Sequence, residues 1–177
     1  YPTGDTAPLT IRQLMTHGAG FPEDNPWGDR QMGESDETLT AWLRAGIPFS
    51  TAPDTAYEYS NYGFALLGRI VAVAAKTPYR TYLEKQILQP LGMKSSTLEP
   101  SAVPARQRAV GYSRIASEYV EEPSLPHGSF GSMGGLLTSA EDLAKYVAFQ
   151  LSAFPARSGE EKGPVRRSSV REMQQLH

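Results

Sequence analysis

The stretch Pro53-Asp54-Thr55-Ala56-Tyr57-Glu58-Tyr59-Ser60-Asn61-Tyr62-Gly63 and the apolar run Phe64 to Ala75 that follows it decide how this sequence is read. The second part predicts a helix from about Asn61 to Lys76, apolar on nearly all sides and therefore buried. Its apolar run is interrupted by Arg69 and falls short of the roughly 18 residues that a bilayer span requires. The first part is irregular and polar, and it sits directly before the most apolar helix, a placement in which loops carry function. If that segment is extended, side chains alternate with period two and Tyr57, Tyr59 and Asn61 point to one side. Tyr59 and Asn61 are then expected to face one cleft.

Outward from this stretch the pattern is mostly helical. Thr10 with Gln13 fits a capping box, so Ile11 to His17 reads as a short helix ended by Gly18-Ala19-Gly20. Ser35 or Asp36 can cap a helix carrying Leu39, Trp42 and Leu43 at helical spacing, which Gly46 stops. After the central helix, Thr77 is expected to cap a partner helix with Pro78 at its first position, running from Tyr79 to Gln89 and ending at Pro90-Leu91-Gly92. Ser139, Glu141 and Asp142 start an amphipathic helix through Leu143, Tyr146, Val147 and Leu151. Arg167 to Leu176 reads as a terminal helix. Ala109 to Tyr112 and Glu118 to Val120 have strand-like composition and predict a small hairpin. Ser158 to Pro164, poor in apolar residues, reads as a surface loop. There is no internal repeat of solenoid period.

The composition narrows the function. At 177 residues the chain fits one domain, and a domain of this size buries roughly 70% of the surface its unfolded chain exposes. Seventeen basic and nineteen acidic residues leave a net charge of -2, which offers no footprint for nucleic acid or an anionic membrane. Without cysteine there is no disulfide framework, thiolate metal site or cysteine nucleophile. The start, Tyr1-Pro2-Thr3-Gly4-Asp5, carries neither an initiator methionine nor a basic and apolar leader, so the chain is expected to begin inside a longer protein.

Generic catalytic constellations are missing. There is no H-E-x-x-H, and His17, His127 and His177 are scattered. No G-x-x-x-x-G-K-[ST] loop occurs, the glycines Gly128, Gly131, Gly134 and Gly135 do not sit in a Rossmann-type unit, and no serine lies in G-x-S-x-G. What remains is Tyr59-Ser60-Asn61, which resembles the Y-x-N element of class C β-lactamases and of their esterase and D-Ala-D-Ala peptidase relatives among the penicillin-binding proteins. Four further blocks resemble that family in the same order: Thr10 to Pro22 (TIRQLMTHGAGFP), Asn61 to Ile70 (NYGFALLGRI), Pro90 to Met93 (PLGM), and Gly134 to Leu143 (GGLLTSAEDL). Together the blocks cover most of the chain and are far more specific than a three-residue motif.

The resemblance implies that residues 1–177 are the helical region of a two-part α plus α/β serine hydrolase domain, mainly α with a small β hairpin. It implies an acyl-serine route to a β-lactam, a D-alanyl peptide or a simple ester, a periplasmic or secreted setting, and no cofactor or metal. The family's chemistry uses the serine and lysine of S-x-x-K, the tyrosine and asparagine of Y-x-N, and a [KH]-[ST]-G strand. Of these the sequence holds the middle element, with Tyr59 and Asn61 as the implied catalytic residues. No serine has lysine three positions on, and neither Lys76-Thr77-Pro78 nor His127-Gly128-Ser129 satisfies the third motif. An unactivated serine is a poor nucleophile, and a tyrosine phenol of pKa about 10 becomes a useful base only near cations. The resemblance therefore implies that Tyr59 relays protons to and from the serine and leaving group, while Asn61 orients the lysine and binds the substrate amide. The expected partner is a small-molecule or peptide substrate of the parent protein, with no nucleic acid and no membrane span. The chain alone is expected to be inactive, and to self-associate through apolar surface that a missing sheet would cover.

Plainer readings stand beside these. A tyrosine picked from the nine is more often a half-buried packing residue, and it is the flanking blocks that lift Tyr59 above it. For His17-Gly18-Ala19-Gly20 the structural reading is preferred, with glycines permitting positive φ and His17 favourable at a helix carboxyl end. Gly134-Gly135 serves equally well as a tight turn or as a close approach to a cleft. One departure stands out: the family usually has Pro-Gly before Y-x-N, and here Asp54 follows Pro53, a residue that tolerates turn geometry. The rival from another class is a non-catalytic binding or regulatory protein that keeps the scaffold without the nucleophile.

Overall fold

The computed structural model describes residues 7–24 and 28–175. Leu176, Trp27 and His177 lie outside them, as do Tyr1 to Asp5. In chain order the α-helices are α1 (Ile11–Met15), α2 (Asp36–Ala45), α3 (Asn61–Ala75), α4 (Tyr79–Leu83), α5 (Gly131–Gly134), α6 (Ala140–Leu151) and α7 (Arg167–Met173). A 3-10 turn at Gly28–Gln31, two more at Pro100–Ala102 and Ala105–Gln107, and the strands β1 (Tyr112–Ile115) and β2 (Glu118–Glu121) complete the order. The described residues are mostly helical with a two-stranded antiparallel hairpin, as the patterning predicts.

The helix ends follow from short side chains that compete for backbone amides. Thr10 caps α1 in a reciprocal box with Gln13, Ser35 Oγ accepts the Thr38 amide at 3.1 Å, and Ser139 Oγ accepts that of Asp142 at 3.2 Å. α2 stops at Gly46, whose φ of 94° suits only a residue without Cβ. α3 closes on Lys76 at φ 51°, with Thr77 N donating to Ala72 O and Lys76 N to Val73 O, a Schellman pattern without the usual glycine. The next helix differs from expectation at its start. Pro78 stands at the cap position without a side-chain bond, and the Thr77 hydroxyl donates backwards to Ala75 O at 3.2 Å. From Glu84 to Leu88 that helix widens to π geometry before the turn at Gly92.

The described chain forms two compact units. One comprises residues up to Gly68 and Leu98–Leu136. Its core is Leu14, Ala19, Phe21, Met32, Leu39, Ala65, Leu66 and Phe130, with Phe49, Ile47, Tyr62, Leu67 and Met133 packed around it. Phe21 meets Phe49 at 5.3 Å with the rings tilted by 51°, and Tyr62 edge-on at 5.7 Å, the latter a geometry that suits ring quadrupoles. The Tyr62 hydroxyl has no hydrogen-bond partner among the described residues, and burial pushes its phenol up to about 12. The hairpin also belongs here. Its second strand is where the sequence places it, but the first lies at Tyr112–Ile115 rather than Ala109 to Tyr112. The reason is the two-residue turn: Ala116 takes φ 57°, and pairing Ile115 with Glu118 then fixes Tyr112 opposite Glu121.

The other unit comprises Arg69–Thr97 and the chain from Leu137 onward. Its polar anchor is the carboxylate of Asp142, buried at the start of α6. That carboxylate accepts the Ser95 amide at 2.7 Å and the Ser96 hydroxyl at 2.8 Å, and it pairs with Lys145 at 2.7 Å. These partners, the Lys145 ammonium first, hold the Asp142 carboxyl below its usual range. The loop Ser158 to Pro164 is exposed, as expected, and is tied down by Arg167, which donates to Glu160 O and Gly159 O at 2.8 Å each. On α6, Leu143, Val147 and Leu151 recur every fourth residue along one exposed stripe. Among the described residues no helix is long and apolar enough to cross a membrane.

Candidate active site

The amino end of α3 has the problem of every helix start: its first amides have no partner within the helix. Here four consecutive amides are met by side chains. Ser60 N donates to His17 Nδ1 at 3.0 Å, Asn61 N to Asp24 Oδ1 at 2.7 Å, Tyr62 N to Asp24 Oδ2 at 2.9 Å, and Gly63 N to Ser60 Oγ at 3.1 Å. The helix cap is therefore Ser60, and the Asn61 side chain is not used to cap its own helix. The Asp24 carboxylate adds a favourable charge at the positive end of the helix dipole.

The loop before the helix is fastened as firmly. Glu58 N donates to His17 O and Asp54 N to Gly18 O, each at 2.9 Å. The Glu58 carboxylate accepts the Glu23 amide at 3.2 Å and the Ser50 hydroxyl. Asp54 stands at φ 63° and accepts from Gln13 Nε2 at 2.7 Å. The position thus needs the left-handed conformation that glycine adopts most readily, and Asp, among the few other residues that visit it, supplies a carboxylate that bonds to α1 as well.

On this frame Tyr59 and Asn61 meet: the Tyr59 hydroxyl donates to Asn61 Oδ1 at 3.2 Å. Tyr59 is 36% exposed and Asn61 only 6%, so a partly exposed tyrosine is joined to a buried asparagine. Tyr57 and Tyr59 both reach the His17 ring, as side chains two apart on one side of the loop would. Asn61 then enters the helix and still turns to the same side as Tyr59. Tyr57 lies more open, with its ring edge on His17 at 5.4 Å. Gly28 leaves the room that Asn61 occupies, since a Cβ there would come within 2.8 Å of Asn61 Cγ and 2.9 Å of Asn61 Cβ.

Sequence reasoning missed His17, Asp24 and Gly28. The pattern alone places His17 at the helix end and leaves positive φ to the glycines. In the structure His17 itself takes φ 56°, and its ring lies 4.6 Å from that of Tyr59 and 5.0 Å from that of Phe64. Burial lowers its pKa, an effect the nearby Asp24 charge opposes. Asp24 had no local signal, because its amide partners are 37 and 38 residues away. Among the described residues no group of three or more His, Asp or Glu side chains could hold a metal ion.

With fold and site in view, comparison places the chain. The family model described as Beta-lactamase matches residues 1–175, and the chain belongs to the beta-lactamase family. It is 30% identical over 152 residues to Protein flp of Staphylococcus aureus (strain MW2), covering 84% of this chain and 30% of that protein. It is 31% identical over 151 residues to Beta-lactamase-like protein 2 of Dictyostelium discoideum, covering 82% of this chain and 27% of that protein. Among solved structures, the octameric penicillin-binding protein homologue from Pyrococcus abyssi superposes with a TM-score of 0.74 at 26% identity, over 95% of this chain and 39% of that one. A class C beta-lactamase superposes with a TM-score of 0.62 at 29% identity, over 81% and 38%. The chain spans about 30% of the length of the curated relatives it matches.

Proposed function

We propose that this chain is the helical part of a serine hydrolase that cleaves amide or ester bonds through an acyl-serine, and that Tyr59 and Asn61 belong to its catalytic centre. The observation that carries the reading is the Tyr59 hydroxyl donating to a buried Asn61 carboxamide on a helix start whose four amides are all held by side chains. A phenol that is fixed, half exposed and joined to a carboxamide is what proton relay requires, because general acid-base help depends on hydrogen-bond reach before it depends on pKa. In this reading Tyr59 moves the proton between the serine, the leaving group and bulk solvent. Asn61 orients the lysine and accepts from or donates to the substrate amide.

The serine and lysine of S-x-x-K and the [KH]-[ST]-G strand would be supplied by sequence outside these 177 residues. The substrate class is a β-lactam, a D-alanyl peptide or a simple ester, and its choice rests with pocket walls from several loops. The exposed stripe of Leu143, Val147 and Leu151 supports the further reading that the isolated chain self-associates.

The test is covalent trapping. A protein joining these residues to the family's S-x-x-K segment, incubated with a penicillin, should gain one acyl group on that serine by intact-mass spectrometry, while the 177-residue chain alone gains none and hydrolyses neither a chromogenic β-lactam nor a nitrophenyl ester above background. Turnover by the chain alone that disappears in Tyr59→Phe would overturn the reading. A parent reading frame without S-x-x-K would favour the non-catalytic binding protein.

A further inference from the structure

We propose that His17 is a positioning residue for the Tyr59–Asn61 pair: its unprotonated Nδ1 accepts the amide that lies between them, and its ring is the surface on which Tyr59 rests. Three observations converge. Ser60 N, the peptide group joining Tyr59 to Ser60, donates to His17 Nδ1 at 3.0 Å. The imidazole lies at a 32° tilt to the Tyr59 ring and 29° to that of Phe64, the fourth residue of α3, so it bridges the loop and the helix. His17 O also accepts Glu58 N at 2.9 Å, which makes one residue grip the loop on both sides of Tyr59. A backbone φ of 56° at a non-glycine residue is the kind of conformation that persists where surrounding structure over-determines it, and such positions cluster at functional sites.

The acceptor role of His17 differs in protonation state from a role at the helix end. A histidine that serves the carboxyl end of α1 works as a cation. A histidine that accepts Ser60 N must be neutral at Nδ1, with its proton on Nε2. The two roles demand opposite protonation states, and burial of the ring favours the neutral one. The groups facing the imidazole are the Asp24 carboxylate, which favours the cation, and the rings of Tyr57, Tyr59 and Phe64. Protonation at Nδ1 would set a donor against the Ser60 donor, free that amide, and loosen the peptide that fixes the angle between Tyr59 and Asn61.

The catalytic consequence rests on the proposed function, so the test has two readouts. In the 177-residue chain, nitrogen NMR should show His17 Nδ1 as an unprotonated acceptor at neutral pH and the Ser60 amide protected from exchange, with both signals lost together as the pH is lowered. His17→Phe keeps a stacking ring without the acceptor and should deprotect Ser60 at every pH. His17→Gln, which offers an acceptor without a ring, should restore part of that protection. In the catalytically complete protein His17→Phe should lower kcat about 10-fold to 100-fold with little change in KM, the scale of loss that a small misplacement of reacting groups produces. Ser60 protection that ignores the titration of His17, or Tyr59 and Asn61 signals unmoved in His17→Phe, would overturn the proposal. If His17→Phe does not fold, the titration of the unaltered chain decides alone. Activity untouched by Tyr59→Phe would remove the proposed function, and the amide readout would still decide the role of His17.

Discussion

Replacing Asp24 with Ala removes both oxygens that receive the Asn61 and Tyr62 amides, at 2.7 and 2.9 Å. Those amides are the first two of α3 and have no partner inside the helix. A hydrogen bond to a charged group contributes about 1.5 to 3 kcal/mol, and the charge at the helix amino end adds roughly 0.3 to 1 kcal/mol. Asp24 is only half-buried, so water recovers part of the loss, and the expected net destabilisation is about 2 to 4 kcal/mol. For a chain of this size each kcal/mol moves the melting temperature by roughly 2 to 4 °C, which gives a drop of about 5 to 15 °C. Asp24→Asn keeps one acceptor and should lose about half as much. The assay is thermal unfolding followed by circular dichroism, together with amide exchange at Asn61 and Tyr62, which should speed up selectively. A change within about 0.5 kcal/mol, the usual range for a neutral surface substitution, would refute the claim that Asp24 anchors this helix start.

The ionisation of His17 gives a pH dependence of defined sign. Its folded pKa lies below 6.5, so the unfolded chain takes up the proton first as pH falls; the stabilisation is complete above that value and is lost progressively beneath it, which urea titrations across the range would show. Gly28→Ala should cost about 1 to 3 kcal/mol by overpacking, and because the added methyl meets the Asn61 carboxamide its larger effect should fall on activity in the complete protein, read as a kcat loss exceeding that of a control Ala substitution at exposed Gly134. The apolar stripe on α6 predicts concentration-dependent association of the isolated chain; light scattering showing a clean monomer at high concentration, with no binding of an apolar dye, would contradict it.

The helices were legible wherever a cap and an apolar period agreed. Thr10 with Gln13, Ser35 and Ser139 each mark a start that the structure keeps, because each acts on an amide three residues away. Legibility ended where the deciding contact was distant or the turn was silent. Nothing near Ala109 shows that Ala116 will adopt positive φ and slide the first strand to Tyr112–Ile115. Thr77 reads as a cap on composition, yet its hydroxyl is taken by Ala75 O. At the site, Tyr59 and Asn61 were found through neighbouring sequence blocks, whereas His17 and Asp24 act across gaps of 43 and 37 residues. Asp54 is the intermediate case: its substitution for glycine was visible, and its φ of 63° shows why a residue tolerant of that conformation was needed.

Tyr59→Phe in the catalytically complete protein tests the central claim most directly, since it deletes one oxygen and keeps the ring that lies against His17. Loss of positioned acid-base help costs about 100-fold to 10,000-fold in rate, or roughly 3 to 5 kcal/mol of transition-state stabilisation. kcat/KM should fall by that factor while the melting temperature moves little, because the 3.2 Å bond to Asn61 Oδ1 is made by a side chain that is only partly buried. A variant that keeps kcat/KM within about threefold of the original, an effect below 1 kcal/mol, would make Tyr59 a wall residue and contradict its catalytic assignment.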